Sequence, residues 1–358
     1  MASLPSPVSA AGRLSCLIPR LSQVTGGPGT GKTVVALHRV KHLLARYPDH
    51  RILLTTFTNA LADTLRANLS LLLGVDTLPP RLEVSTVNAY AYRTVQQLSG
   101  RAPAPIGDVD ERQLWRRVQR RLGLPWAEQF LQQEYRHVIL AQNLRTREEY
   151  RAAARRGRGR AIGAPQRDLI WDAVEAFHGE LSAAGKTTQL RMCATAAELV
   201  DGAKPAMREF QHVVVDEAQD LHPMQWRLLR AAVAPGPDDL FLTGDPHQRI
   251  YDNRVSLASV GISVAGRSSR LRLNYRNTEE ILSWSAGLMH ESPVADLEGQ
   301  GSDTLAGYRS LLHGRRPHIS GYASEQEEVA ALVARCRSGW PAGSTAARSR
   351  CALDSTSC

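Results

Sequence analysis

Residues 26–33 have the sequence Gly26-Gly27-Pro28-Gly29-Thr30-Gly31-Lys32-Thr33, in which four residues separate a glycine from Gly-Lys-Thr. Glycines at this spacing let successive backbone N–H groups turn inward around a polyphosphate. The lysine adds a point charge at the β- and γ-phosphates, and the threonine hydroxyl is a Mg²⁺ ligand. We therefore interpret these eight residues, called here the phosphate loop, as a nucleotide-binding site in which Thr33 also binds the metal.

The segments on either side of the phosphate loop fit a strand and a helix. Residues 21–25 predict a short strand, and the apolar run 34–40 predicts a helix. This order places the loop at a helix N-terminus, where the backbone dipoles favour anions. The alternative is a glycine turn with a chance Lys-Thr, which the flanking strand and helix disfavour.

A second motif ends in two neighbouring acids. The segment Phe210–Asp220 predicts a buried, β-branched strand followed by acidic residues. Asp216, at the strand's C-terminal end, can hold Mg²⁺, mostly through water. Glu217 is placed to orient or deprotonate an attacking water. A surface loop is the alternative, but together with the phosphate loop the motif predicts NTP hydrolysis, and we expect Lys32 and Asp216 to sit on neighbouring strands of one sheet.

These motifs resemble those of the UvrD/Rep group of superfamily-one DNA helicases, and further segments agree in order. Thr55–Ala60 and Ser85–Tyr90 resemble the family's DNA-contacting motifs. Leu242–Tyr251 resembles the motif that couples nucleotide to DNA, and Leu273–Thr278 resembles the motif that enters the second motor domain. The resemblance covers roughly residues 21–335.

The resemblance implies roles for single residues. Gln248 would sense the γ-phosphate or the attacking water, and Arg276 would act as an arginine finger against transition-state charge. Tyr275 would stack on the base of the nucleotide. The residues expected to contact or lie near single-stranded DNA are Phe57, Thr58, Asn59, Tyr251 and Arg254. The alternatives are core aromatics for Tyr275 and Phe57, and a surface ion pair for Arg276.

The resemblance implies that the chain would act as an ATP-dependent DNA helicase or translocase with 3′→5′ polarity. Its cofactors would be ATP and Mg²⁺, and its partners single-stranded DNA and junctions of single- and double-stranded DNA. The alternative is a nucleotide-binding, DNA-associated module without unwinding activity. A P-loop enzyme acting on RNA or on a small molecule is disfavoured by the motif settings of Gln248 and Arg276.

The predicted fold is α/β, with a RecA-like P-loop NTPase core built on an open, mostly parallel sheet. More than 180 residues separate Lys32 from Asp216, so a segment must be inserted between the two motifs. The predicted domains are a first RecA-like motor domain (21–94 and 191–272), a helical, arginine-rich insertion (95–190) and an incomplete second RecA-like domain (273–340). In the last of these, residues 317–322 predict a strand and residues 324–337 a helix.

The two ends of the sequence lack these patterns. Residues 1–20 and 341–358 show no periodicity and are predicted to be disordered. The family's later motifs, with a Thr/His segment and a final arginine, are not found within the sequence. We expect a truncated or frameshifted reading frame, in which unwinding of duplex DNA is impaired.

Composition agrees with a DNA-associated protein in a reducing compartment. No apolar run approaches the roughly 18 residues of a membrane span, and five scattered cysteines without metal-binding spacing predict a cytoplasmic protein. The net charge is +9, and residues 112–160 hold thirteen arginines but four acids. This excess predicts contact with a phosphate backbone. For any single arginine, a solvated helical face is the alternative.

Overall fold

The structure is a computed structural model that describes residues 23–155, 158, 161–203, 208–248, 257–264, 266–289, 294–295, 302–303 and 307–338. The chain divides into two compact units, the first ending at His313 and the second beginning at Gly314. None of the described helices combines the length and the apolar character that a bilayer crossing requires.

Strands and helices alternate along the first unit. The described strands are β1 (Gln23–Gly26), β2 (Ile52–Thr56), β3 (Leu82–Thr86), β4 (Pro105–Ile106), β5 (Thr187–Thr188), β6 (His212–Val215), β7 (Leu240–Gly244), β8 (Ser268–Leu271), β9 (Leu273–Asn274), β10 (Val294–Ala295), β11 (Ser302–Asp303) and β12 (Arg309–Ser310). The described α-helices are α1 (Lys32–Arg46), α2 (Asn59–Leu73), α3 (Val87–Ser99), α4 (Asp108–Leu122), α5 (Glu128–Glu134), α6 (Arg147–Ala152), α7 (Ala164–Ala183), α8 (Gln189–Gly202), α9 (Pro223–Ala232), α10 (Glu279–Met289) and α11 (Glu325–Ser338). A π-helix spans Tyr135–Leu140, and 3₁₀ turns span Ala218–Asp220, Pro246–Gln248 and Leu257–Val260.

A six-stranded sheet forms the centre of the first unit, in the order β3-β2-β6-β7-β1-β8. Every neighbouring pair in it is parallel. The predicted α/β fold with an open parallel sheet is therefore confirmed. One expectation is wrong: β7 lies between β1 and β6, so the strands that precede Lys32 and Asp216 are not neighbours. The motifs themselves carry no information about a third strand that pairs between them.

Alternating side chains of the central strands supply two cores. Val213 and Val215 in β6 pack with residues of α3, α8 and α9, whereas Val214 packs on the other face with residues of α1. This alternation follows from the two-residue period of a strand. Both faces of the parallel sheet are thus covered by helices, and the strand ends remain for binding.

Threonines cap the helices that follow β2 and β3. The hydroxyl oxygens of Thr58 and Thr86, which follow or end β2 and β3, each accept a hydrogen bond of 3.2 Å from the backbone N–H three residues later. Such caps contribute about 1 kcal/mol each to helix stability. They fix the N-termini of α2 and α3 at the carboxyl edge of the sheet.

The helical segment between β3 and β6 has a core of its own. Its buried apolar residues run from Ile106 to Leu181, and Trp115 stacks on Phe177 with ring centroids 4.0 Å apart. The flanking helices α3 and α8 contribute instead to the core of the six-stranded sheet. We call the helical segment the insertion, here residues 105–188, which begin and end with the paired strands β4 and β5.

The chain leaves the six-stranded sheet after β8. The next strand, β9, pairs in parallel with β12 in a separate two-stranded sheet. In the second unit, α11 confirms the helix expected at 324–337, but its Val329, Leu332 and Val333 are exposed. The strand expected at 317–322 is wrong, because that segment contains Pro317 and pairs with no described strand.

Candidate nucleotide and DNA site

The phosphate loop connects the end of β1 to the start of α1. Gly29 and Gly31 have φ angles of 76° and 88°, in the left-handed region that favours glycine. Gly31 is the N-cap of α1, and no side chain caps that helix. The Thr30 hydroxyl donates a 2.8 Å hydrogen bond to the Gly27 carbonyl inside the loop. The loop therefore presents a helix N-terminus that is suited to an anion.

Lys32 lies under the phosphate loop and is 8% exposed. Its Nζ donates to the carbonyl oxygens of Gly26 (2.8 Å) and Gly27 (3.0 Å). Nζ also lies 3.7 Å from Oδ2 of Asp245. The ammonium group is thus fixed beside the loop backbone, where it can add charge to bound phosphate.

Asp216 follows β6 directly and is 3% exposed. Its Oδ1 accepts a 2.6 Å hydrogen bond from the Thr243 hydroxyl, and the Thr33 side chain lies near enough to this carboxylate to lower its pKa. The structure thus brings together the two residues expected to hold the metal. Burial raises the pKa of Asp216, although the side chains of Thr243 and Thr33 act in the opposite direction.

The donor set around Asp216 fits Mg²⁺. Mg²⁺ prefers hard oxygen ligands, and Thr33 and Asp216 offer a hydroxyl and a carboxylate side by side. No basic side chain of the described residues forms an ion pair with Asp216 within 4.0 Å. A buried carboxylate without a basic partner is stabilised by a bound cation.

Glu217 adopts an unusual backbone conformation, with φ 56° in the left-handed region. Its Oε2 accepts a 2.7 Å hydrogen bond from Nε2 of Gln219. Oε1 of the same glutamine accepts a 2.9 Å bond from the backbone N–H of Asp245. Gln219 therefore links the predicted base to the loop after β7.

The remaining predicted nucleotide contacts are distributed around the loop. Gln248 ends the 3₁₀ turn after β7, with an exposed side chain. Tyr275 is half-buried, and its backbone N–H donates a 2.9 Å bond to the Gly29 carbonyl. Arg276 is exposed, and a Cβ built on Gly29 would lie 2.7 Å from the Cβ of Arg276. Tyr275 and Arg276 therefore adjoin the phosphate loop.

Sequence reasoning assigned no role to several residues that the structure places at the loop. These residues are Gln219, Thr243, Asp245, Asn274 and Tyr308. The first four lie inside the segments that resemble family motifs, so the motifs themselves were the available signal. Tyr308 had no such signal, and its ring lies 3.1 Å from a Cβ built on Gly27.

The predicted DNA contacts lie along the carboxyl edge of the sheet. Phe57 is half-buried against the core, Thr58 caps α2 as described above, and Asn59 is exposed at the first position of α2. Tyr251 and Arg254 lie outside the described residues. These residues follow β2, whereas the phosphate loop follows β1, and β6 and β7 lie between those two strands, so the two predicted functions occupy different stretches of this edge.

A cavity of about 320 Å³ adjoins Phe57. Amide side chains from the sheet unit and polar side chains from the insertion line it, among them Asn88, Gln189, Gln225, Arg136 and His137. Nearby, His222 Nε2 donates a 2.9 Å bond to the Arg136 carbonyl. The insertion is thus attached to the segment that follows Glu217.

The arginines of the insertion are mostly paired with acids. Nine of the eleven described arginines between 112 and 160 lie within 4.0 Å of a carboxylate: Arg116, Arg117, Arg121, Arg136, Arg145, Arg147, Arg151, Arg155 and Arg158. Many of the partner acids, such as Asp168 and Glu180, lie outside residues 112–160. The local charge excess counted from the sequence therefore overstates the field that the insertion presents.

The sequence profile of the UvrD/REP helicase N-terminal domain matches residues 15–260. The chain belongs to the UvrD/Rep helicase family. The ATP-dependent DNA helicase UvrD2 of Mycobacterium bovis is 27% identical over 347 residues, which cover 87% of this chain and 46% of that protein. The UvrD1 helicase of Mycobacterium leprae is 28% identical over 291 residues, 73% of this chain and 36% of that protein.

A subunit of a larger enzyme is also similar to part of this chain. The RecB subunit of the RecBCD enzyme of Mycobacterium tuberculosis is 32% identical over 155 residues, which cover 41% of this chain and 14% of that protein. This chain spans less than half the length of each of these three relatives. The family predicted from the motifs is confirmed by these similarities.

Proposed function

We propose that the chain binds Mg²⁺·ATP at the phosphate loop and hydrolyses it when it binds single-stranded DNA. This is the activity of a helicase or translocase motor, for which we propose 3′→5′ polarity. The observation that carries the proposal is the buried Asp216 carboxylate, close to Thr33 at the uncapped N-terminus of α1. The groups that would bind phosphate and those that would bind the metal thus lie at one place, where the phosphate loop meets Asp216.

The proposed roles follow from the positions of the side chains. The loop backbone and Lys32 would hold the β- and γ-phosphates, with Thr33 and Asp216 holding Mg²⁺. Mg²⁺, when bound, neutralises phosphate charge. Glu217, held by Gln219, would orient and deprotonate the attacking water.

Three further residues complete the proposed catalytic set. Gln248 would contact the attacking water or the γ-phosphate, and Arg276 would neutralise charge that develops on the transferred phosphoryl group. Tyr275 would stack on the nucleotide base. The backbone contact between Tyr275 and Gly29 supports the roles of Tyr275 and Arg276, because it joins their segment to the phosphate loop.

The proposed DNA path follows the carboxyl edge of β2 and β3. Phe57, Thr58 and Asn59 lie on this edge, and the cavity beside Phe57 offers an aromatic wall with amide donors and acceptors. Aromatic stacking is worth about 1–3 kcal/mol per base. On the resemblance alone, we also propose that Tyr251 and Arg254 contact the DNA. The proposed partners are single-stranded DNA and junctions of single- and double-stranded DNA.

The proposed domain division has the insertion at 95–190 on a motor domain of 21–94 and 191–272, with a second RecA-like domain starting at 273. The separate core of the insertion and the departure of β9 from the six-stranded sheet support it. We also propose a cytoplasmic site of action, which suits the free thiols of Cys193 and Cys336.

The test is phosphate release from ATP by the purified chain, with and without single-stranded DNA. We expect Mg²⁺-dependent turnover that DNA stimulates. Glu217→Gln should bind nucleotide but lose at least about a hundredfold in turnover, because general-base catalysis contributes about 10²–10⁴-fold. Glu148→Gln, an exposed acid in α6, is the matched control and should keep wild-type turnover.

Two results would favour the alternative, a nucleotide-binding, DNA-associated module without unwinding activity. One is ATP turnover that DNA does not stimulate, and the other is binding of nucleotide and DNA without turnover. Wild-type turnover in the Glu217 variant would remove Glu217 from the base role.

A further inference from the structure

Asn274 uses both ends of its side-chain amide to join two segments. It is 1% exposed. Its Nδ2 donates a 2.7 Å hydrogen bond to the Pro28 carbonyl of the phosphate loop. Its Oδ1 accepts bonds of 2.8 Å from the backbone N–H groups of Arg276 and Asn277. A single buried side chain thus ties the loop to the turn that carries Arg276.

A backbone bond runs parallel to this link. The N–H of Tyr275 donates 2.9 Å to the Gly29 carbonyl. Two consecutive loop carbonyls, of Pro28 and Gly29, are therefore engaged by residues 274–275. In a loop that cradles an anion with its N–H groups, the carbonyls must point away from the anion. Asn274 and Tyr275 supply partners for two of them.

The packing between the loop and the turn leaves no space for a side chain at Gly29. A Cβ built on Gly29 would lie 2.7 Å from the Cβ of Arg276 and 3.0 Å from Oδ1 of Asn274. Real Cβ atoms do not approach other atoms this closely, and Gly29 also has a left-handed φ. The turn at 274–276 therefore lies directly against the loop.

The other side of Asn274 is anchored as well. Its backbone pairs with Ser310 in the parallel ladder of β9 and β12. The Ser310 hydroxyl donates to the carbonyl of Asn277 at 2.7 Å and lies 3.3 Å from the carbonyl of Asn274. Asn274 is consequently held from the two-stranded sheet while its side chain reaches the loop.

We propose that Asn274 is a positioning residue that sets the phosphate loop and the Tyr275–Arg276 turn in register for nucleotide binding. It would act through the loop and the turn and not by contact with the nucleotide. Its donor arm fixes the loop, and its acceptor arm fixes where the Arg276 backbone begins. This inference rests on the proposed function, because it assumes that nucleotide binds at the loop.

The chemistry of the amide gives a way to separate the two arms. Asparagine offers a donor and an acceptor, whereas aspartate offers acceptors alone. Asn274→Asp keeps the bonds to Arg276 and Asn277 but loses the donor to Pro28. Asn274→Ala loses all three bonds. Asn277→Asp places a carboxylate on the same turn without touching the donor arm, and therefore controls for charge.

The experiment measures binding of Mg²⁺·ADP and of a Mg²⁺-bound non-hydrolysable ATP analogue to each full-length variant by calorimetry. We expect Asn274→Asp to weaken the binding of both ligands about tenfold, since the buried carbonyl of Pro28 loses its hydrogen-bond donor. Asn274→Ala should weaken both, and should also reduce the preference for the triphosphate over ADP, because the arm that places Arg276 is lost. Asn277→Asp should bind both within about twofold of wild type.

The outcomes separate this inference from the proposed function. If wild type binds neither nucleotide, the proposed function fails and the inference falls with it. If the wild-type chain binds the nucleotides and both Asn274 variants bind them with wild-type affinity, the inference alone is overturned. A general loss of structure would lower the melting temperature of both variants. It would also weaken the binding of ADP and of the triphosphate analogue by the same factor in Asn274→Ala and Asn274→Asp, and this result would contradict the inference as well. If Asn274→Ala does not fold, Asn274→Asp carries the test against Asn277→Asp.

Discussion

The phosphate loop and the insertion both carry cations that the sequence predicts to meet phosphate, but their surroundings differ. Lys32 contacts two carbonyl oxygens, with a carboxylate oxygen 3.7 Å away. In the insertion, most described arginines lie within 4.0 Å of carboxylates, and the single carboxylate of Glu134 pairs with both Arg155 and Arg158. A count of positive charges therefore does not locate a phosphate site. Lys32 itself lies within 4.0 Å of a carboxylate, so what distinguishes the phosphate loop is the uncapped helix N-terminus beside the cation.

The largest effect that this comparison predicts is on the stability of the insertion. Glu134 is fully buried and accepts hydrogen bonds from Tyr150 (2.8 Å) and Arg155 (2.5 Å). Glu134→Ala should lower the free energy of unfolding by about 3–5 kcal/mol, because it leaves a buried guanidinium without its partner. Glu198→Ala, which removes the exposed partner of Arg145, should cost less than about 1 kcal/mol. Urea unfolding checks both, and equal effects would show that the buried pair has no structural role.

The next effect concerns the phosphate loop. Lys32→Ala should weaken Mg²⁺·ATP binding by about ten- to a hundredfold, as expected for loss of a charged hydrogen bond worth about 1.5–3 kcal/mol. Lys41→Ala is the matched control, because Lys41 is exposed on the same helix and bonds to the Leu72 carbonyl. Titration calorimetry measures both. Equal affinities for the two variants would remove Lys32 from the site.

A pH effect follows from two histidines that burial keeps neutral. Burial lowers the pKa of His222 to about 3 and that of His178 to about 4. Since an unfolded histidine titrates near pH 6.5, the unfolded chain binds more protons below that pH, and stability falls from about pH 6.5 towards pH 4. The slope for each histidine is at most about 1.4 kcal/mol per pH unit.

The structural cause at His222 is specific. Its Nδ1 accepts from the Met224 N–H while Nε2 donates to Arg136, so a second ring proton would break the cap of α9. His222→Asn should therefore be less stable at pH 7.5 but lose less stability on acidification. Urea midpoints at pH 7.5, 6.5 and 5.5 measure this, and parallel slopes for variant and wild type would contradict it.

The smallest effect is on salt dependence. Arg112 and Arg120 are exposed and form no ion pair with any described residue. If the insertion contacts single-stranded DNA, their double substitution to alanine should lower the slope of log affinity against log salt by about 1.4. Substituting the paired Arg121 and Arg151 should change the slope less. Equal changes in fluorescence-anisotropy titrations would show that pairing does not decide which arginines contact DNA.

The sequence predicted those parts of the molecule that local pattern determines. The phosphate loop, the acids after β6 and the parallel sheet follow from spacing and from apolar runs, because these act through neighbouring residues. The position of β7 between β1 and β6 depends on tertiary packing and was not predicted. The strand expected at 317–322 shows the same limit, because a strand forms only where another strand pairs with it.

The candidate site was predicted by residue type but not by contact. Glu217 was predicted as the base, yet nothing in the pattern indicates that Gln219 bonds to it. Gln219 lies two residues away, on a turn that begins with a left-handed backbone conformation. Asn274 was visible inside a motif, but nothing in its spacing indicates that its amide reaches Pro28, 246 residues earlier. The charge count failed for a related reason, because acids that pair with these arginines come from other helices, as Asp168 of α7 does for Arg151.

The central claim is that the phosphate loop, with Thr33 and Asp216, is a Mg²⁺-nucleotide site. A crystal structure of the chain with Mg²⁺ and a non-hydrolysable ATP analogue tests it most directly. We expect the phosphates inside the loop within reach of the Lys32 ammonium, and Mg²⁺ between Thr33 and Asp216. Nucleotide bound elsewhere, with Lys32 still bonded to the carbonyls of Gly26 and Gly27, would contradict the claim.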